Sequence, residues 1–210
     1  MRLTVFGASG GTGTQVVRQA CAGGHEVTAV VRDPARLTFE APELRIVQAD
    51  VRDPAVLGPA VAGRDAVISA IGPRGRGPTT VCADSARAIV AAMQQQGIRR
   101  LAVVSNSGMH IDDQDGWFVR SAVKPLVGRV FRHAYADMGR MEEVVRATDL
   151  DWTIVCPPRL TDAGHTGRYR TAINQNVAGG RLIPRADLAE ELLRCLTEDR
   201  TVRASVSVAR

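Results

Sequence analysis

Lysine is nearly absent from this sequence. Lys124 is the only lysine among 210 residues, and the other basic residues are arginines dispersed along the chain. A lysine-dependent active site therefore has a single candidate. Aromatic residues make up 4% of the chain, and no basic run is interleaved with them. Despite the net charge of +5, this distribution argues against a nucleic-acid-binding protein.

The sequence also lacks clustered metal ligands and long apolar runs. Its four cysteines are far apart, with no Cys-x-x-Cys pair, and its four histidines show no ligand spacing. We expect free buried thiols and no metal site. The apolar runs are shorter than a membrane span, and a strand-like pattern begins at once, which leaves no room for a signal peptide. We expect a cytoplasmic protein, monomeric or homodimeric, with no membrane partner.

What the chain does contain is a glycine cluster near its start. The sequence Gly-Ala-Ser-Gly-Gly-Thr-Gly at residues 7–13 follows an apolar run and precedes a helix-like pattern. A strand, a glycine-rich turn and a helix in this order form a nucleotide-binding turn, with the helix N-terminus facing the pyrophosphate. A glycine-rich loop without a ligand is the alternative, and the flanking strand and helix count against it. The predicted pyrophosphate site comprises Gly7, Ser9, Gly10, Gly11, Thr12 and Gly13.

Strand-like and helix-like segments alternate from the first residues to Ser105. The alternation predicts an α/β Rossmann fold, with a doubly wound, mainly parallel sheet and helices on both faces. A composition of 45% apolar and 23% charged residues fits a single globular domain spanning residues 1–210. Later in the chain the pattern predicts mostly loop for residues 161–183 and a final edge strand for residues 202–208.

The end of the second predicted strand indicates which dinucleotide is bound. In such folds an acidic side chain there accepts from the ribose 2′-hydroxyl, whereas an arginine suits a 2′-phosphate. Arg32 ends the strand at residues 26–31, and Arg36 adds a second cation nearby. Asp33 follows Arg32 and either contacts the ribose or caps the next turn. The sequence favours NADP(H) over NAD(H).

Small and polar residues end the other predicted strands at the same edge of the sheet. Asp50 and Val51 are expected beside the adenine, although Asp50 as a turn residue is an equal alternative. The loop at residues 73–78, with two arginines, either binds a phosphate or an acidic substrate or is simply solvated. The predicted cofactor-binding residues are completed by Ala70, Gly72, Ser105 and Pro157. Residues 106–134 and 159–183 are predicted to form a substrate-side lid, with residues 111–131 forming part of the lid or a partner surface.

Six segments in order make the chain resemble the atypical short-chain dehydrogenase/reductases: residues 7–13, 32–34, 50–51, 139–143, 151–158 and 185–189. Within that group it is most similar to the NAD(P)H-binding, NmrA-like biliverdin reductase B or NADPH-dependent flavin reductase family. The resemblance implies an NADPH-dependent oxidoreductase that transfers a hydride to a flat conjugated acceptor. Such an acceptor is a flavin (FMN or FAD), a bilin or a quinone. The alternative is a non-catalytic NADP(H) sensor of the NmrA-like type.

The resemblance also suggests which residues face the acceptor. Ser107 matches a serine near the nicotinamide, where it orients the acceptor, relays a proton, or merely caps a turn. Arg159 stands where the family often has a histidine, and an arginine suits an anionic acceptor. Tyr135 is a third candidate. It is followed four residues later by Gly139 instead of lysine, so the Tyr-x-x-x-Lys relay of the classical members is absent.

Overall fold

The computed structural model describes residues 1–75, 77–110 and 128–210. Strands β1 to β6 are Arg2–Phe6, Glu26–Val31, Leu44–Gln48, Ala66–Ser69, Arg100–Val104 and Asp151–Cys156. Strands β7 to β10 are Arg159–Thr161, Arg170–Ile173, Leu182–Pro184 and Ala204–Ala209. Helices α1 to α5 are Gly11–Ala22, Pro54–Val61, Val81–Gln95, Arg132–Arg146 and Arg185–Cys195. Short 3-10 turns lie at Pro34–Arg36, Ser107–Met109 and Asp199–Thr201.

The described strands form an eight-stranded sheet in the order β3-β2-β1-β4-β5-β6-β10-β8, and β7 pairs with β9 in a separate two-stranded sheet. Only β8 of the larger sheet runs antiparallel to its neighbour. The central strands are buried on both faces, which explains their continuous apolar runs. Because the strand order changes direction between β1 and β4, a crevice opens at the carboxyl ends of these two strands. This architecture confirms the predicted Rossmann fold.

Helices cover both faces of the sheet and divide the core into two layers. On one face α1 and α5 pack against the sheet in a layer that includes Leu3, Val17 and Leu188. On the other face α2, α3 and α4 pack on a layer that includes Phe6 and Ile154. The apolar stripe of each helix thus faces the sheet, as a doubly wound fold requires.

One sequence-based expectation about the last third of the chain is wrong. Residues 202–208 were expected to form an edge strand, yet β10 lies between β6 and β8. Residues 161–183 are mostly loop, as expected, and contain β8, which forms the actual edge. This strand has four residues, and Asn174, with a φ of 57°, follows it. A strand this short is defined by its partner β10, so its own sequence carries little periodicity.

Candidate functional site

The glycine turn after β1 is held together by two very close backbone contacts. Gly7 has a φ of +72°, and a Cβ there would lie 2.8 Å from the carbonyl carbon of Ala70. A Cβ on Gly13 would lie 2.2 Å from the carbonyl oxygen of Gly7. These distances leave no room for a side chain at either position. The turn therefore brings the start of α1 directly against the ends of β1 and β4.

The N-terminus of α1 opens toward this turn. Gly10 is the N-cap, no side chain of the described residues caps the helix, and the first turn has no acidic residue. The first amide groups of a helix have no partners within the helix, so they offer a positive site for an anion. A carboxylate in the first turn would oppose such binding. The local geometry therefore fits a pyrophosphate.

An open cleft runs from this turn across the ends of β2, β3 and β4. Eight of the predicted cofactor residues line it: Gly7, Ser9, Gly10, Arg32, Asp50, Val51, Ala70 and Gly72. Residues that the sequence did not single out complete the wall, among them Phe6, Val30, Ile71 and Val81. The predicted residues Gly11, Thr12, Gly13, Ser105 and Pro157 are not part of this lining. The cleft thus joins the glycine turn to the end of β2.

Three arginines converge where the cleft reaches the end of β2. Arg32, Arg36 and Arg74 line one recess together with Ser9 and Asp33. The positive charge of Arg36, and to a lesser extent that of Arg32, lowers the pKa of Arg74 below its ordinary value. Such mutual repulsion is relieved when an anion binds between the cations. Arg76, the second arginine of the loop at residues 73–78, lies outside the described residues.

The two aspartates near this recess are engaged in their own turns. The Asp33 carboxylate accepts a hydrogen bond from the Ala35 amide at 3.1 Å and caps the turn Pro34–Arg36. Asp50 accepts from the Arg52 amide at 3.0 Å and forms an ion pair of 2.6 Å with the Arg52 guanidinium. These bonds from Arg52 lower the pKa of Asp50 to about 2. Asp50 therefore serves as a turn residue while it also lines the cleft.

At the end of β5 the predicted acceptor residues Ser107 and Tyr135 come together. The Ser107 amide donates to the carbonyl of Pro157 at 2.9 Å, which joins the loops after β5 and β6. The Tyr135 hydroxyl reaches the same loop from α4, because it would lie 2.6 Å from a Cβ on Gly108. Burial raises the pKa of Tyr135. A tyrosine that relays protons near neutral pH needs the opposite shift.

Arg159 lies on β7, two residues after Pro157. Its side chain is exposed and makes no hydrogen bond or ion pair with the residues that the structure describes. Its strand pairs with β9, which leads directly into Arg185. The Arg185 side chain covers the first turn of α1, where a Cβ on Gly11 would lie 2.8 Å from its Cδ. Arg185 also forms an ion pair of 2.5 Å with Asp162.

The sequence-based predictions missed Arg185 and a buried polar cluster around Glu142. Ser105, which follows β5, donates its hydroxyl to Glu142 Oε1 at 2.5 Å, and His110 Nε2 lies 3.0 Å from the same oxygen. The sequence did carry a signal for Glu142. The helical spacing of residues 141, 142 and 145 puts the glutamate on the same side of α4 as Met141 and Val145, and this side is buried. Both Glu142 and Arg185 also fall within segments that carry the family resemblance.

Comparison with known proteins identifies the family. A family model described as NAD(P)H-binding matches residues 7–199. The chain belongs to this NAD(P)H-binding family. The glycine turn and the cleft beside it thus lie in a chain of an NAD(P)H-binding family.

Individual relatives extend this likeness over the full chain. An uncharacterized Bacillus subtilis protein, YwnB, is 27% identical over 199 residues, covering 92% of this chain and 91% of its own. A Veillonella parvula short-chain dehydrogenase/reductase, solved in complex with NADP, has a TM-score of 0.84 at 16% identity and covers 100% of this chain and 94% of its own. ChuY, an anaerobilin reductase of Escherichia coli O157:H7, has a TM-score of 0.78 at 23% identity, with coverages of 100% and 97%. These two structures share the fold of this chain.

Among the described residues, no helix combines the length and the apolar character that crossing a membrane requires.

Proposed function

We propose that this protein is an NADPH-dependent reductase that transfers a hydride to a flat conjugated acceptor, such as a flavin, a bilin or a quinone. The observation that carries the cofactor assignment is the recess formed by Arg32, Arg36 and Arg74. A dinucleotide with its pyrophosphate at the glycine turn places its adenosine ribose at the end of β2. Three cations there match a 2′-phosphate, whereas Asp33 is already engaged in capping a turn.

The residues of the chain hold the cofactor by shape and by charge. The absence of a side chain at Gly7 and Gly13 lets the backbone of the turn pack closely, which is what a pyrophosphate-binding turn needs. Asp50 and Val51 line the adenine side of the cleft. NADPH, when bound, supplies the hydride. The name of ChuY, an anaerobilin reductase, supports a bilin-like acceptor for a chain of this fold.

The acceptor side fits a reaction that depends on positioning. The position four residues after Tyr135 holds Gly139 instead of lysine. Burial also raises the pKa of the Tyr135 hydroxyl. The Tyr-x-x-x-Lys proton relay of the classical dehydrogenases therefore has no counterpart here. Transfer between two planar rings requires mainly that they stack in register in a site that excludes water. Ser107, joined to the loop after β6, and Tyr135 are placed to orient such a ring.

The cofactor assignment is tested by the affinities of Arg32→Ala for NADPH and NADH. Loss of a charge-assisted contact to a phosphate costs about 1.5–3 kcal/mol, or roughly 10- to 100-fold in Kd. We expect that loss for NADPH and less than about twofold for NADH, which has no 2′-phosphate. Arg45→Ala, which removes an exposed arginine of β3 outside the cleft, is the matched control. Equal losses for both cofactors contradict the assignment.

The reductase assignment is tested by NADPH consumption with FMN, biliverdin or menadione. We expect NADPH absorbance to fall only when an acceptor is present. Tight binding of NADPH without turnover on any of these acceptors contradicts a reductase and supports the alternative, a non-catalytic NADP(H) sensor.

A further inference from the structure

Arg185 places its charged side chain against the first residue of α1. That residue, Gly11, directly follows Gly10, which lines the cofactor cleft. A Cβ on Gly11 would lie 2.8 Å from Cδ and Nε of Arg185 and 3.6 Å from its Cζ. The Arg185 side chain thus fills the space that a side chain at residue 11 would occupy. Its guanidinium lies at the start of α1, next to the glycine turn.

The two-stranded sheet sets the position of this side chain. β7 and β9 run parallel, and Thr161 pairs with Pro184, so the next residues, Asp162 and Arg185, leave the sheet side by side. Nη1 of Arg185 donates to the Asp162 carboxylate at 2.5 Å. Among the residues that the structure describes, no other group forms a hydrogen bond with this guanidinium. Nη2 and Nε, the guanidinium nitrogen nearest to Gly11, therefore form an edge that is available to a ligand.

A cation at the start of α1 is electrostatically unfavourable until an anion joins it. The N-terminus of a helix carries a partial positive charge, which favours anions and repels cations. The first turn of α1 holds no acidic residue that would compensate the Arg185 charge. The Asp162 carboxylate offsets the repulsion only weakly, because 87% of its side chain is exposed and exposed ion pairs contribute little. The arrangement therefore favours an anion between Arg185 and the helix.

The pyrophosphate of a dinucleotide is the anion that fits this place. In dinucleotide-binding folds the pyrophosphate lies at the N-terminus of the helix that follows the glycine turn. A guanidinium binds phosphate oxygens through two parallel N–H bonds. The edge formed by Nε and Nη2 of Arg185 supplies such a pair of donors, while Nη1 stays with Asp162. The recess that contains Arg32 is a separate group of cations, at the end of β2.

We propose that Arg185 is a cofactor-binding residue whose guanidinium contacts the pyrophosphate through Nε and Nη2. This proposal rests on the proposed dinucleotide site. Arg185 contributes equally to the affinity for NADPH and for NADH, because both cofactors carry the pyrophosphate. Arg32 distinguishes the two cofactors through the 2′-phosphate. The last third of the chain thereby supplies a positive charge to a site that otherwise consists of residues from its first third.

The test measures the Kd of NADPH, NADH and adenosine 2′-monophosphate for the wild type, Arg185→Met and Arg185→Lys. Methionine keeps the packing of the side chain on α1 without the charge, and lysine keeps the charge. We expect Arg185→Met to weaken the binding of both dinucleotides by the same factor, about 10- to 100-fold. The Kd of adenosine 2′-monophosphate, which has no pyrophosphate, should change by less than about twofold. Arg185→Lys should lose at least about threefold less affinity for the dinucleotides than Arg185→Met.

Two further variants serve as controls. Arg32→Ala should show the converse pattern, with weaker binding of NADPH and adenosine 2′-monophosphate and unchanged binding of NADH. Arg200→Met removes an exposed arginine from the turn before β10, at the end of the sheet opposite the crevice. It should change none of the three Kd values. Retained binding of adenosine 2′-monophosphate shows that the Arg185 variants are folded.

Each outcome bears on a different statement. A wild type that binds neither dinucleotide overturns the proposed function and this proposal with it. A wild type that binds both, with Arg185→Met keeping both Kd values, overturns the role of Arg185 alone. A loss confined to NADPH also overturns it, because Arg185 would then act on the 2′-phosphate. Equal losses in Arg185→Met and Arg185→Lys, or a loss that extends to adenosine 2′-monophosphate, overturn it as well, since they indicate only a structural contribution.

Discussion

The carboxylate of Asp137 on α4 caps helix α3 from outside that helix. It accepts hydrogen bonds from the amides of Cys82 and Ala83 at 2.9 and 3.1 Å, and the side chain is completely buried. These amides belong to the first turn of α3, where they have no partners within the helix. Val81, the first residue of α3, lines the cofactor cleft. Asp137 therefore fixes the start of α3, which forms one wall of the cleft.

Asp137→Ala should lower the free energy of unfolding by about 2 kcal/mol, since two buried amides lose their acceptor. Asp137→Asn, which keeps one acceptor oxygen, should cost about half as much. Urea unfolding measures both changes. Asp84→Ala, which removes a partly exposed aspartate from the first turn of the same helix, should cost less than about 0.5 kcal/mol. A loss at Asp84 as large as that at Asp137 contradicts the trans-capping role.

Gly13→Ala should destabilise the chain by about 1–3 kcal/mol and weaken NADPH binding, because the new Cβ would overlap the Gly7 carbonyl oxygen at 2.2 Å. Thermal unfolding and NADPH titration report the two effects. Gly139→Ala is the matched change within a helix, where the Cβ meets nothing within 4 Å. It should stabilise the protein by up to about 1 kcal/mol. A Gly13→Ala variant that binds NADPH as the wild type does contradicts the close packing described.

Asp187 should make the stability of the protein depend on acid pH. Burial raises its pKa, but hydrogen bonds from Thr166 and the Gly167 amide outweigh burial and lower the pKa below its ordinary value. A group whose folded-state pKa is lowered stabilises the fold above its unfolded pKa of about 4, and this stabilisation is lost as the pH falls toward the folded value.

Asp187→Asn should therefore cost about 1–3 kcal/mol at neutral pH, since an amide oxygen replaces a carboxylate that accepts three bonds. The difference from the wild type should shrink below about pH 4. Denaturant unfolding across this pH range checks it, with Glu40→Gln, at an exposed position, as the control. A difference that stays constant with pH contradicts the lowered pKa of Asp187.

Local sequence was enough for the parts of the site that lie on consecutive residues. The spacing of Gly7, Gly10 and Gly13 predicted the turn between β1 and α1, because backbone sterics admit little else there. The Arg32-Asp-Pro sequence predicted a cation at the end of β2, although the capping role of Asp33 was only one of two alternatives. The elements as far as β5 followed from apolar patterns that are continuous in buried parallel strands.

The parts that depend on distant contacts were missed or left open. Residues 161–183 showed no strand pattern, since β8 is formed by pairing with β10. Nothing near Glu142 indicates that Ser105 and His110 will meet its carboxylate, which requires β5 and α4 to pack together. Most of the segment 111–131 falls outside the described residues, so the choice between a lid and a partner surface stays a prediction.

The sequence by itself determined the family, the alternating fold and the nucleotide turn, because each depends on short-range backbone geometry and on periodic burial. Only the tertiary structure brought Arg74 to Arg32 and Arg36, Asp137 to the start of α3, and His110 to Glu142. These contacts join residues that are 30 to 60 positions apart in the sequence, or they depend on the packing of a helix against a strand. Side-chain chemistry at such distances is set by the fold as a whole, through burial and the charges that the fold brings together.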